Sequence, residues 1–115
     1  MPGNSWLRHK ASNGVERLGS YAYTSGGSVD SDPVVLVSGG GKGLTFFVEP
    51  EDICTAVFYA KNSQGSWKAV YTETGIAAAE RRAINIALPS AEWYVATTNT
   101  DASAGNVVID VRENE

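Results

Sequence analysis

The sequence predicts an all-β fold: a single-domain antiparallel β-sandwich, or jelly roll, of about eight strands with an extended N-terminal arm. Two observations carry that expectation. From Leu44 onward, short runs rich in β-branched and aromatic residues alternate with turn residues, as where Asn62-Ser63-Gln64-Gly65 leads into Trp67. Helix-forming composition is confined to Ile76-Ala77-Ala78-Ala79-Glu80, which is too short to nucleate alone and is read as a loop with one turn.

Taken in order, residues 1–17 read as the arm and residues 18–115 as the sandwich domain. Val15 to Thr24 forms the first strand, packed through Leu18, Tyr21 and Tyr23, and ends at Ser25-Gly26-Gly27-Ser28. Asp30-Ser31-Asp32-Pro33 is a turn that launches Val34-Val35-Leu36-Val37, an unbroken apolar run suited to a strand covered on both faces. Ser38-Gly39-Gly40-Gly41-Lys42-Gly43 lacks the phosphate-loop pattern and no helix follows it, so it is read as a flexible inter-strand loop. The remaining strands are Leu44 to Val48, Ile53 to Tyr59, Trp67 to Tyr71, Ala83 to Leu88, Trp93 to Thr97 and Val107 to Val111, joined by turns at Glu49-Pro50-Glu51-Asp52, Asn62 to Gly65, Pro89-Ser90 and Asn99 to Asn106.

Period-two alternation assigns Phe46 and Val48, Val57 and Tyr59, Trp67 and Tyr71, Ile84, Ile86 and Leu88, Trp93 and Val95, and Val107, Ile109 and Val111 to the core. The opposite faces are mostly polar or small, through Thr45, Lys68, Asn85, Ala87, Thr97 and Asp110. Phe47, Phe58, Val70 and Tyr94 break this pattern, being large apolar groups on the nominally solvent face. Either a bulge changes the register or another chain covers that face. The second alternative makes these four residues the expected interface of a homodimer or homotrimer.

Composition narrows the function. The 115-residue chain suffices for one core without staples, and its single cysteine, Cys54, lies in an apolar run as a core hydrophobe and forms no intrachain disulfide. The net charge of −4 argues against a nucleic-acid-binding body. The charge is uneven, because the arm carries Arg8, Lys10 and Arg17 against Glu16, ahead of an acidic body. The first ten residues place no apolar stretch behind their charges, so they do not read as a signal peptide. Synthesis and assembly in a cytoplasm are expected, and no apolar run is long enough to cross a bilayer.

No catalytic constellation accompanies the strands. The one histidine, His9, falls in the arm, no serine sits in a Gly-x-Ser-x-Gly elbow, and the acids fall mainly in turns, where they cap and solvate. One His and one Cys exclude a zinc site, and neither Asp30-x-Asp32 nor Glu49-x-Glu51-Asp52 forms a calcium loop. The expectation is a non-enzyme with no cofactor and no metal. Trp6 stands out as an apolar anchor in a polar arm, a position that favours burial on a partner. Trp67 and Trp93 would suit a saccharide platform if exposed, but their parity places both in the core.

The order Phe46-Phe47-Val48-Glu49, Thr55-Ala56-Val57-Phe58-Tyr59, Gly65-Ser66-Trp67-Lys68-Ala69-Val70, Leu88-Pro89, Trp93-Tyr94-Val95 and Ala104-Gly105-Asn106-Val107-Val108-Ile109-Asp110-Val111 resembles jelly-roll cement, or decoration, proteins of tailed-bacteriophage capsids. The resemblance spans about Gly39 to Val111 and is one of pattern. It implies a structural virion protein, located on the capsid surface, that binds the major capsid protein and holds neighbouring subunits together. On that reading Trp6, Leu7, Arg8, Lys10 and Arg17 contact the shell, with no nucleic-acid or membrane partner. The alternative is a carbohydrate-binding β-sandwich of a phage tail or adhesin.

Overall fold

The computed structural model describes residues 9–11, 14–24, 26–100 and 104–114. Among them lie ten strands and no helix: β1 (His9–Ala11), β2 (Glu16–Tyr23), β3 (Ser28–Asp30), β4 (Val34–Leu36), β5 (Leu44–Pro50), β6 (Cys54–Lys61), β7 (Trp67–Ile76), β8 (Arg82–Ile86), β9 (Glu92–Asn99) and β10 (Gly105–Glu113). A four-stranded sheet has the order β2-β10-β5-β8, and a six-stranded sheet the order β1-β4-β9-β6-β7 with β3 also paired to β9.

Strands β3 and β4 lie end to end along β9, against Ala96 to Thr98 and Glu92 to Trp93 respectively. The interruption falls at Pro33, which has no N–H for the ladder. Ser31 bridges the gap: its N–H donates to the Val95 carbonyl and its hydroxyl accepts the Val95 N–H, at 2.8 and 3.0 Å. With β3 and β4 counted as one strand, the chain from β2 to β10 changes sheet at every step except the β6–β7 hairpin. That path is a jelly roll. Among the described residues the one parallel pair is β1 with β4, which places residues 9–11 in the larger sheet, while β2 starts at Glu16. Part of the expected 1–17 arm therefore belongs to the two sheets.

The core lies between the sheets. From one side come Leu18, Leu44, Phe46, Val48, Ile84, Ile86, Val107, Ile109 and Val111, and from the other Val34, Leu36, Cys54, Ala56, Phe58, Ala60, Trp93 and Val95. Phe46 meets Phe58 with ring centroids 5.0 Å apart and Trp93 edge-on at 6.5 Å. The Trp93 indole N–H donates to the Ser90 carbonyl at 2.9 Å, so its polar handle is satisfied inside the fold. Burial pushes the Cys54 thiol up to about 11, in keeping with a core hydrophobe.

Three face assignments are corrected by the structure. On β6 the inward residues are Cys54, Ala56, Phe58 and Ala60, so Val57 and Tyr59 point outward and the expected exposure of Phe58 is overturned. Both parities of that strand are apolar, and alternation within it carried no information. On β7, Ala69 pairs with Tyr59 and Tyr71 with Phe58, leaving Val70 as the extra residue of a β-bulge. The bulge puts Trp67 and Tyr71 on opposite faces: Trp67 lies on the outer face, and Tyr71 contacts Phe58 across 6.1 Å at the open edge while remaining 45% exposed. Leu88 lies beyond the end of β8 and is exposed.

The glycine loop after β4 is a packed element, not a flexible one. Gly40 and Gly43 have φ of 72° and 78°, and a Cβ on either would fall 1.9 Å from the Ser90 or the Ile86 carbonyl oxygen. The loop closes around the buried carboxylate of Glu113, which accepts from the Ser38 N–H, the Ser38 hydroxyl and the Gly40 N–H. A cradle of backbone donors of the kind that binds anions is thus filled by the protein's own side chain. Burial raises the Glu113 pKa, but the bonds from Ser38, Gly40 and Val37 outweigh it and hold the carboxyl below its ordinary 4.5.

Two outcomes follow. Gly40→Ala forces a left-handed backbone and a backbone clash on a side chain, and should lower stability by about 3 kcal/mol or more, whereas Gly41→Ala, which meets nothing within 4 Å, should be near neutral in urea denaturation. Because the folded pKa of Glu113 is depressed, its contribution is present above its unfolded value of 4.5 and is lost as pH falls through the folded value. Glu113→Gln should cost about 2 kcal/mol at neutral pH and flatten the acid limb of a stability–pH profile.

Candidate functional site

The outer face of the larger sheet carries an aromatic cluster that the strand registers assemble. Tyr59 on β6 is paired directly with Tyr94 on β9, and one step along, Lys61 on β6 is paired with Trp67 on β7. Since Trp93 and Val95 face the core, Tyr94 between them faces out. The two tyrosine rings are parallel to within 1° with centroids 4.6 Å apart. The Trp67 indole meets Tyr94 at 4.9 Å and 85°, so the two ring planes are nearly perpendicular. Tyr94 is reduced to 8% exposure beneath these rings, while Tyr59 and Trp67 remain half-buried.

Charged groups frame the cluster. The Lys61 ammonium lies 5.1 Å from the Trp67 ring centroid and pairs with the Glu92 carboxylate at 3.4 Å. On the other side Asp30 on β3 is paired with Ala96, two residues along β9 from Tyr94. Burial, then the Asp30 charge, then Tyr59 raise the Tyr94 phenol above its usual value. Beyond Asp30, the Ser28 and Thr98 hydroxyls share an exposed hydrogen bond of 2.6 Å.

The smaller sheet presents a different surface. Asp110 accepts from the Arg17 Nε at 2.5 Å and from Arg81 at 2.7 Å, and Arg81 also pairs with Glu49 and lies 4.7 Å over the Phe47 ring. Burial raises the Asp110 pKa, but the two guanidinium partners outweigh it and the carboxyl sits below its ordinary range. Beside this network is an open depression of about 380 Å³ lined by Ser20, Glu49, Pro50, Glu51, Ala79, Asn106 and Val108. Among the described residues no group of three or more His, Cys, Asp or Glu side chains is placed to hold a metal ion.

Residues singled out from the sequence are dispersed by this arrangement. Trp6, Leu7 and Arg8 lie outside the described residues, Lys10 falls in β1, and Arg17 belongs to β2 with its side chain in the Asp110 pair. Phe47, Phe58, Val70 and Tyr94 do not form one patch: Phe47 is on the outer face of the smaller sheet, Phe58 is in the core, Val70 is 36% exposed at the β7 bulge, and Tyr94 lies under the aromatic cluster. Tyr59 and Lys61 were not anticipated, because the face of Tyr59 was misassigned along with all of β6.

No family model and no curated protein sequence matches the chain. Among solved structures it resembles PirA, with a TM-score of 0.59 at 14% identity over 79% of this chain and 89% of that one. It also resembles the mitogen derived from Yersinia pseudotuberculosis, with a TM-score of 0.55 at 10% identity over 90% of this chain and 88% of that one. Both likenesses reach the fold and no further. Neither structure is named as a capsid protein.

The two tryptophans should separate cleanly on mutation. Trp93→Ala empties the core and should cost roughly 3–5 kcal/mol, whereas Trp67→Ala removes an outer-face ring contact and should cost about 1 kcal/mol. Equal losses in chemical denaturation would place Trp67 in the core after all.

Proposed function

We propose that the protein is a non-catalytic recognition module that binds saccharides on the outer face of its six-stranded sheet. The supporting observation is the Trp67 indole held perpendicular to Tyr94, which is itself stacked on Tyr59. A pyranose ring offers an apolar C–H face and a rim of hydroxyls, and it stacks best on a ring that is already fixed. Here cross-strand packing fixes the indole before ligand arrives, so little side-chain entropy remains to be lost. Asp30, Glu92 and Lys61 surround the cluster with acceptors and a donor for hydroxyls. The absence of catalysis is part of the same proposal: Asp110 and Glu49 are occupied by arginines and Glu113 by the glycine loop.

The resemblance to capsid decoration proteins supports a second reading, in which the domain binds a virion shell. Val70 and Tyr71, exposed side by side on β7, are apolar groups suited to a protein partner. A glycan array together with co-sedimentation on expanded, undecorated phage shells distinguishes the two. Saccharide binding by the wild type, reduced at least about tenfold in Trp67→Ala, is the expected result. Shell binding without glycan binding, unchanged by Trp67→Ala, would favour decoration instead.

A further inference from the structure

We infer that the saccharide lies along β9 as an extended chain, occupying a series of positions rather than a single terminal-sugar pocket. This rests on the saccharide reading above and adds the class of ligand: a linear oligosaccharide bound internally. On one strand face, positions two residues apart are separated by roughly 6.8 Å. Tyr94, Ala96 and Thr98 are three such positions on the outer face of β9, and each carries a different contact. At Tyr94 the Trp67 indole supplies a stacking plane. At Ala96 the side chain is only a methyl group, and its cross-strand neighbour is Asp30, a carboxylate able to accept from sugar hydroxyls. At Thr98 the neighbour is Ser28, and their bonded hydroxyls offer both donor and acceptor capacity to solvent.

The sequence of contacts is therefore stack, carboxylate, hydroxyl pair, spread over roughly 14 Å of open sheet. Along β9 the line runs from the Val35–Glu92 pair at one end to Asn99 at the other. A single sugar would use one contact and forfeit the others. A chain uses all three in sequence.

Isothermal titration with length series of cello-, xylo-, malto- and chito-oligosaccharides, from monosaccharide to hexasaccharide, tests this on the full chain. For any series that binds, affinity should rise about tenfold or more between mono- and trisaccharide and then level off. Thr98→Val, a change of an exposed outer-face side chain away from the aromatic cluster, should remove most of the gain from the longer chains while leaving the monosaccharide affinity and the melting temperature unchanged. A flat length profile, with a monosaccharide competing as well as its oligomers, would overturn the extended mode and leave saccharide binding standing. An absence of binding to every series and to a glycan array would overturn both.

Discussion

The molecule is held together by an aromatic contact between two sheets that share no backbone ladder. Phe46, from the middle of the smaller sheet, touches both Phe58 and Trp93 of the larger one. All three are fully buried. Hydrogen bonding satisfies each sheet internally, so the relation between sheets is left to side-chain burial and the shape of these rings. Trp93 links the contact to the loops as well, through its indole N–H to the Ser90 carbonyl, whose residue in turn bonds Gly40. The packed glycine loop and the Glu113 cradle are thus continuous with the core.

That dependence explains which parts of the fold could be read from the sequence. Where a strand has one apolar and one polar parity, as in β8 with Ile84 and Ile86 against Ala83 and Asn85, alternation gave the right face. In β6 it failed because Val57 and Tyr59 are as apolar as Phe58. The choice there is made by what lies across the sandwich: Phe46 has room for one large ring between small neighbours, and Ala56, Phe58 and Ala60 provide that shape. In β7 the failure has another cause, since an extra residue at Val70 inverts the positions from Tyr71 to Glu73, before a second irregularity ahead of Ile76 restores the parity, and neither leaves a mark in composition. Strands β1 and β3 are three residues each and depend on partners distant in the chain, so local propensity had little to say about them.

The candidate site was legible only in its parts. Trp67 and Tyr94 both stood out as large rings, one assigned inward and the other outward, and nothing local showed that they touch. Their meeting is a product of register: Tyr59 must face Tyr94, Lys61 must face Trp67, and the indole must reach Tyr94 across β6. A sequence reading that treated each strand separately had no access to it. The glycine loop teaches the converse lesson. Its composition suggested freedom, but left-handed φ at Gly40 and Gly43, with carbonyls where any Cβ would be, shows glycine chosen for close approach.

The bulges of β7 have a further consequence for life at high concentration. Among the described residues this ten-residue strand is the margin of the larger sheet, and at its far end the Arg82 guanidinium donates to the Thr74 and Gly75 carbonyls. A straight margin of that length would invite a second molecule to add on, and then a third, towards fibrils. The irregularity at Val70 and another near Gly75, with φ of 65°, break the even spacing a foreign strand would need to copy, and Lys68 adds a charge beside them. The kink that conceals the orientation of Trp67 from a reader of the sequence also keeps the margin from acting as a template, so copies can be crowded side by side without zipping together.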